Sequence, residues 1–343
     1  MLEVRNLTKN FGEKRAIDDL SFTVKEGVAY GFLGRNGAGK TTTIRILMNV
    51  FREDSGEALF DGIPAYKESK RIGYLPEERG LYGKRGILEQ LIYFGILKGM
   101  DKKGAEKEAK AKLEEMEATE YTYKKLETLS KGNQQKIQLA VAMLGDPEVI
   151  ILDEPFSGLD PINAQVLKNA VRRQVNEGRT VIFSSHQMAQ VEEFCDDICI
   201  IDKGHAVLEG NLSEIKRSYP RDLLYVETEE GAGTTASSGL SNKKLDSIML
   251  DLPFVNSVIE KGRGFVVKLD DPGKRSTLLR TLEEANARVD SFYVIEPTLE
   301  QIFVEKAGAL DLTEEEKPEE NDTQKGGGRG FGLAGLIARR AGK

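Results

Sequence analysis

The apolar positions of the chain fall into short runs broken by polar or glycine-rich turns, and their spacing changes character along its length. Residues 2–7, 15–24 and 28–33 read as strands, and the last run stops at a glycine-rich turn. Helical spacing follows over 40–50. Residues 56–63 predict a hairpin with Asp61-Gly62 at its turn, and 72–75 a further strand. Between 87 and 129 the strand pattern stops. Residues 88–97 and 105–116 carry helical spacing there, which predicts an inserted helical subdomain. Strands and helices then alternate: helix 134–144, strand 149–152, helix 163–176, strand 181–184, helix 187–194, strand 198–201. That alternation predicts an α/β domain with a mostly parallel sheet covered on both faces, beside an antiparallel β subdomain at the start of the chain.

A second domain is expected from Tyr219-Pro220 onward. Its order reads strand 223–227, helix 244–250, strand 255–260, strand 264–269, helix 275–285 and strand 287–295, with a closing helix over 298–306. The β-α-β-β-α-β order is that of a small α+β, ferredoxin-like domain. Residues 231–241 interrupt it with a Gly/Ser/Thr-rich stretch that reads as a flexible loop. The expected division is therefore 1–218, 219–306 and a tail over 307–343. The tail opens with seven acids and one lysine in 311–322 and closes with five basic residues and no acid in 323–343. Both halves read as solvated disorder. Phe331, Leu333, Leu336 and Ile337 with Arg339, Arg340 and Lys343 offer a basic amphipathic segment as the alternative.

Length agrees with two domains, since 343 residues exceed what one hydrophobic core usually serves. The net charge of -7 and the absence of Trp give no basic, base-stacking face, so a nucleic-acid partner is not expected. No run approaches the length needed to span a bilayer, and the start carries no secretory pattern, so a cytoplasmic place is expected. Cys195 and Cys199 are spaced as a metal pair could be, but no further Cys or His completes a set, and two small core residues are the plainer reading.

The first chemistry lies at Gly34-Arg35-Asn36-Gly37-Ala38-Gly39-Lys40-Thr41, with Thr42 next in line. Glycines at these places let backbone N–H groups curl around phosphates. Lys40 supplies a cation for the β and γ oxygens, and the Thr41 hydroxyl a ligand for Mg²⁺. A helix beginning there points its positive end at the anion. A chance glycine turn would not be flanked by an apolar strand and a helix. The second chemistry lies at Asp153-Glu154, directly after the apolar run 149–152. Ligands bind at the carboxyl ends of such strands. Asp153 is placed to hold the metal, and Glu154 to polarise an attacking water.

These motifs, in this order, resemble those of ABC-type ATPases, the nucleotide-binding subunits of ABC transporters. The resemblance covers about residues 1–217. Leu129-Ser130-Lys131-Gly132-Asn133-Gln134-Gln135 resembles the LSGGQ signature, with Lys131 at the first glycine and Asn133 at the glutamine. The resemblance implies that Ser130, Gly132 and Asn133 face ATP held by a second subunit. Ser157-Gly158-Leu159-Asp160 resembles the D-loop, and Phe183-Ser184-Ser185-His186 the switch segment, whose His186 would contact the γ-phosphate. Phe11, twenty-nine positions before Lys40, matches the aromatic that stacks on adenine. Gly73-Tyr74-Leu75-Pro76-Glu77 matches the Q-loop region, with Glu77 where glutamine is usual. A carboxylate there can still offer an oxygen to magnesium. The runs Tyr74 to Tyr82 and Pro297-Thr298-Leu299-Glu300-Gln301-Ile302-Phe303 resemble the sodium-extrusion (NatA-like) exporter ATPases.

The resemblance implies ATP and Mg²⁺ as cofactors, a second ATP-binding subunit, most simply an identical one, and a separate ABC-2-type membrane permease that would hold the chain at the cytoplasmic face of the membrane. Two readings compete with it. A soluble ABC ATPase acting on DNA or ribosomes would carry a long coiled coil or two ATPase domains. A non-catalytic nucleotide-binding module would not need Asp153, Glu154 and His186. A phosphate-release assay separates the last two.

Overall fold

Residues Val149–Asp153 form a strand, β7, in which every side chain is buried. A run buried on both faces needs cover on both sides, and a parallel sheet between layers supplies it. The computed structural model describes residues 1–68, 71–78, 80–229 and 242–311, with only the backbone for 242–244 and 307–311. Contacts divide the chain into two units, Met1–Leu212 with Leu299–Lys343, and Ser213–Thr298.

The first unit begins with β1 (Leu2–Phe11), β2 (Lys14–Val24), β3 (Ala29–Leu33) and α1 (Lys40–Leu47). Then come β4 (Ser55–Phe60), β5 (Ile63–Pro64) and β6 (Ile72–Leu75). The helices α2 (Ile87–Leu97), α3 (Lys102–Glu115) and α4 (Lys131–Ala142) lead to β7. After it run α5 (Pro161–Asn176), β8 (Thr180–Ser185), α6 (Met188–Phe194), β9 (Asp197–Asp202) and β10 (His205–Asn211). Helix α10 (Leu299–Asp311) returns from the far end of the chain to pack on α6 and β10.

Two sheets share a core. The antiparallel one has the order β2-β1-β4-β5, and the larger one the order β10-β9-β3-β8-β7-β6. Pairing in the larger sheet is parallel except for the β9–β10 edge. Leu7, Ile17, Leu20, Ile44, Ile151 and Ile201 are all 0% exposed in the core between the sheets and α1. Phe22 bridges the layers, its ring 5.1 Å from that of Phe32. The expected hairpin turn is present, with Asp61 and Gly62 both at positive φ, as a two-residue turn of this kind requires. In the helical insert, Ala105, Ala109 and Leu113 form a fully buried stripe at i, i+4, i+8. Lys98 Nζ donates to the carbonyls of Ala142 (3.1 Å) and Leu144 (2.6 Å), capping the end of α4.

The second unit holds α7 (Leu212–Ser218) from Ser213 on, β11 (Leu223–Thr228), α8 (Asn242–Leu250), β12 (Val255–Lys261), β13 (Gly264–Leu269), α9 (Arg275–Glu284) and β14 (Val289–Val294). Its sheet order is β12-β13-β11-β14, antiparallel throughout. Each helix joins strands that are not neighbours, which is the ferredoxin-like arrangement. Leu224, Val226, Met249, Val267, Leu278 and Leu282 are 0% exposed in a core of its own.

Three local expectations change. Lys203-Gly204 is the turn of a hairpin whose second strand, β10, the apolar pattern does not predict. His205 opens that strand, exposed, with Nε2 3.3 Å from Asp18. A short helix, α7, follows it. The closing helix runs to Asp311 and packs with the first unit, where the sequence placed it at the end of the second. The 231–241 loop and the tail from 312 lie outside the described residues.

Candidate functional site

Strand register assembles the site. Leu33 of β3 pairs with Ser185 of β8, and Asp153 of β7 with Ser184 of β8. Gly34, Glu154 and His186 therefore leave the sheet side by side at its carboxyl edge, where open α/β sheets bind ligands.

The loop after β3 fits closely. A Cβ on Gly34 would strike the carbonyl of Ile201, and one on Gly39 would come within 2.7 Å of the carbonyl of Ala16. Gly37 and Gly39 also sit at φ +83° and +111°, a region open to glycine and costly for other residues. Gly39 caps the start of α1, which points its N-terminal end into the loop. Lys40 is 6% exposed, and its Nζ donates to the carbonyls of Gly34 (2.7 Å) and Arg35 (3.2 Å). Burial lowers its pKa, and the charges of Glu154, Asp153 and Glu77 oppose that.

Asp153 is 1% exposed, and its Oδ1 accepts from Ser184 Oγ at 2.9 Å. Its Oδ2 is buried with no hydrogen-bond partner. Burial pushes the carboxyl pKa up, with the charges of Glu77 and Glu154 adding to it, while Ser184 and Lys40 pull it down. An orphaned, buried carboxylate oxygen is what a cation ligand looks like. Hard oxygen ligands suit magnesium. Among the described residues no group of three or more His, Cys, Asp or Glu could hold a metal alone. A magnesium ion here would therefore draw on the Thr41 hydroxyl and on phosphate oxygens besides Asp153. Cys195 and Cys199 are buried, and burial pushes both thiols up, in line with a core role.

Glu154 stands at φ +50°, a strained setting for a residue with a side chain. Three contacts fix it. Its Oε1 accepts from the His186 backbone N–H at 2.9 Å and lies 2.6 Å from His186 Nδ1, and its Oε2 accepts from Ser185 Oγ at 3.2 Å. The carboxylate is thus aimed, and the histidine side chain is joined to it. His186 remains 44% exposed.

A cavity of about 380 Å³ joins these parts. Phe11, Asn36, Gly37, Gly39, Lys40, Thr41, Thr42, Glu77, Asp153 and Glu154 line it, together with Lys14 and Ala16. Lys14 and Ala16 went unnoticed in the sequence. They lie on β2 between Phe11 and the loop, and only the β1–β2 pairing brings them there. Phe11 is 44% exposed, with an edge contact to Phe51 at 5.3 Å, so its ring is propped and open on one side. The cavity lining does not include Ser130, Gly132, Asn133 or Asp160. These form a second cluster. Ser130 caps α4, its Oγ accepting from the Asn133 N–H at 3.3 Å, and Asn133 Nδ2 donates to Tyr121 Oη at 3.0 Å. Asp160 caps α5 through the Asn163 N–H at 3.0 Å. A Cβ on Gly132 would come within 2.5 Å of Asn163, and one on Gly158 within 2.6 Å of Lys131 Nζ, so the two helix starts are packed together.

Residues 17–157 match the ABC transporter family model, and 210–307 match the C-terminal domain of DrrA1-3-like ATP-binding proteins. The chain is 41% identical, over 90% of its length and 99% of the relative's, to the uncharacterized ABC transporter ATP-binding protein YhaQ of Bacillus subtilis. The chain belongs to the ABC transporter ATP-binding proteins. A further relative is the Nod factor export ATP-binding protein I of Burkholderia lata, 35% identical over 61% of this chain and 70% of that one. Among solved structures, the dimeric ATP-binding cassette MJ0796 in a post-hydrolysis state with ADP and Pi aligns with a TM-score of 0.57 and 25% identity, over 62% of this chain and 99% of that one. This ABC protein is accordingly a P-loop ATPase that binds and hydrolyses ATP. Among its described residues no helix is long and apolar enough to cross a membrane.

Proposed function

We propose that this ABC ATPase powers export through a separate ABC-2-type membrane permease, and that it works as a head-to-tail pair, most simply of identical chains. The division of its motifs into two clusters carries the reading. The phosphate loop, Glu77, Asp153 and Glu154 line one cavity, while Ser130, Gly132 and Asn133 lie outside it at the start of α4. A second chain supplies the missing face, with Ser130 and the positive end of α4 turned to the γ-phosphate. The partner being an exporter permease, and the place at the cytoplasmic membrane face, rest on the exporter among the relatives and on the DrrA-like C-terminal domain.

In this reading Phe11 stacks on adenine, and Lys40 with the N–H groups from Arg35 to Thr42 binds the phosphates. Asp153 and Thr41, with Glu77 beside them, hold magnesium. The ion would neutralise phosphate charge and orient the triphosphate. Glu154 accepts a proton from the attacking water, held in place by Ser185 and His186. His186 keeps its link to Glu154 through Nδ1 and offers its opposite edge to the γ-phosphate. Asp160 fixes the D-loop against the signature helix.

A composite site makes specific activity depend on protein concentration. Phosphate release per chain is expected to rise with concentration until the dimer saturates. A constant specific activity across a hundredfold dilution would sink the composite reading. Phe11→Ala is expected to weaken ATP binding about tenfold, from the loss of one base–aromatic stack. Equilibrium titration with ATP checks this, and unchanged affinity would remove Phe11 from the site.

A further inference from the structure

The last helix of the first unit meets the phosphate loop through its second turn. Leu299, Ile302 and Phe303 occupy positions i, i+3 and i+4 of α10 and are 0%, 0% and 4% exposed. They seat the helix on α6 and β10. At its first turn the Leu299 N–H reaches Glu192 Oε2 of α6 at 3.4 Å. At its next turn the Phe303 ring lies under the guanidinium of Arg35, with 5.5 Å from Cζ to the ring centre. That distance falls within the range of an attractive cation–π contact.

Arg35 holds the loop at three points. Its carbonyl accepts from Lys40 Nζ at 3.2 Å and from the Ala38 N–H at 3.1 Å, and its side chain rests on Phe303. The first two contacts are internal to the loop. The third alone ties it to α10, a helix that follows the accessory unit in the chain. A further anchor of α10, beside β10, is α6, which begins two residues after His186.

We infer that Phe303 is a positioning residue for nucleotide binding: it fixes Arg35, and through the Arg35 peptide it holds the loop in the shape that receives phosphate. The inference rests on the ATP site described above. The first turns of helix α10 then brace both the phosphate loop, through Phe303, and the helix after His186, through Leu299. Phe303 touches no substrate itself.

The test uses the full chain and ATP titrated in a direct binding assay, with thermal melting alongside. Phe303→Leu keeps apolar volume and removes the ring. Phe303→Tyr keeps the ring. Phe303→Leu is expected to raise the Kd for ATP about fivefold, while Phe303→Tyr stays within twofold of the parent. Arg35→Gln is expected to raise it to a similar degree or more. Phe303→Leu should then add nothing in the Arg35→Gln background, because the contact is already gone. Additive effects, or equal losses of melting temperature in the Leu and Tyr variants with Kd unchanged, would overturn the inference and leave a packing role. Parent chain that binds ATP while Phe303→Leu binds it equally well also defeats the inference, and leaves the ATP site intact. Failure of the parent to bind ATP would instead bring down the site itself.

Discussion

Glu154→Gln is expected to bind ATP about as tightly as the parent chain and to lose turnover by a factor of about 10²–10⁴, the usual contribution of a general base. The amide keeps the volume of the carboxylate, and its oxygen can still accept from the His186 N–H that Glu154 Oε1 now receives at 2.9 Å. The left-handed backbone at φ +50° is unaffected by the change. What disappears is the ability to take a proton from water. Binding energy from the signature face is then no longer released by hydrolysis, so the dimer should persist. Light scattering with ATP present is expected to show twice the monomer mass for this variant. Phosphate release gives the rate. Turnover within threefold of the parent would remove Glu154 as the base and direct attention to His186.

Lys40→Ala is expected to weaken ATP binding about a hundredfold and to abolish measurable hydrolysis. Charge-assisted contacts from one ammonium to phosphate oxygens are worth about 1.5–3 kcal/mol in binding, and each 1.4 kcal/mol is a factor of ten. A second effect adds to this. Lys40 is the cation whose charge offsets the burial of Asp153, whose pKa is already raised. Without it, three acids face the triphosphate: Asp153, Glu154 and Glu77. Equilibrium binding by titration, with a melting curve to show the chain is folded, checks the prediction. Affinity within threefold of the parent would overturn the role of the loop. Phe11→Ala is the informative comparison, since it should cost affinity without touching the charge balance.

The sheet and the loop were readable because they depend on local pattern. Val149-Ile150-Ile151-Leu152 announces a strand buried on both faces, and Asp61-Gly62 announces a turn. The accessory fold was readable from element order alone, and its sheet order agrees. Strand β10 escaped because it is an edge. Its residues are half-buried or exposed, with Gly210 inside, so neither alternation nor an apolar run marks it. The apolar spacing of Leu299, Ile302 and Phe303 predicts a helix with one buried face. It does not say what that face covers, since the choice between two units is made by packing. The site shows the same limit. Asp153 and Glu154 stand out in sequence, whereas the clamp on Glu154 by Ser185 and His186 comes from the register of β7 against β8. Lys14 carries no motif and enters the cavity only through the pairing of β1 and β2.

The return of α10 to the first unit alters how the chain should be dissected. The accessory unit is spliced into the ATPase unit between Leu212 and Leu299, rather than appended to it. A stop codon placed between Leu212 and the end of β14 deletes the helix under Arg35 along with all or part of the accessory sheet. Phenotypes of such truncations therefore merge two losses. Excision of 213–298 with a linker in its place would remove one and keep the other, and only that comparison assigns a role to the accessory unit itself.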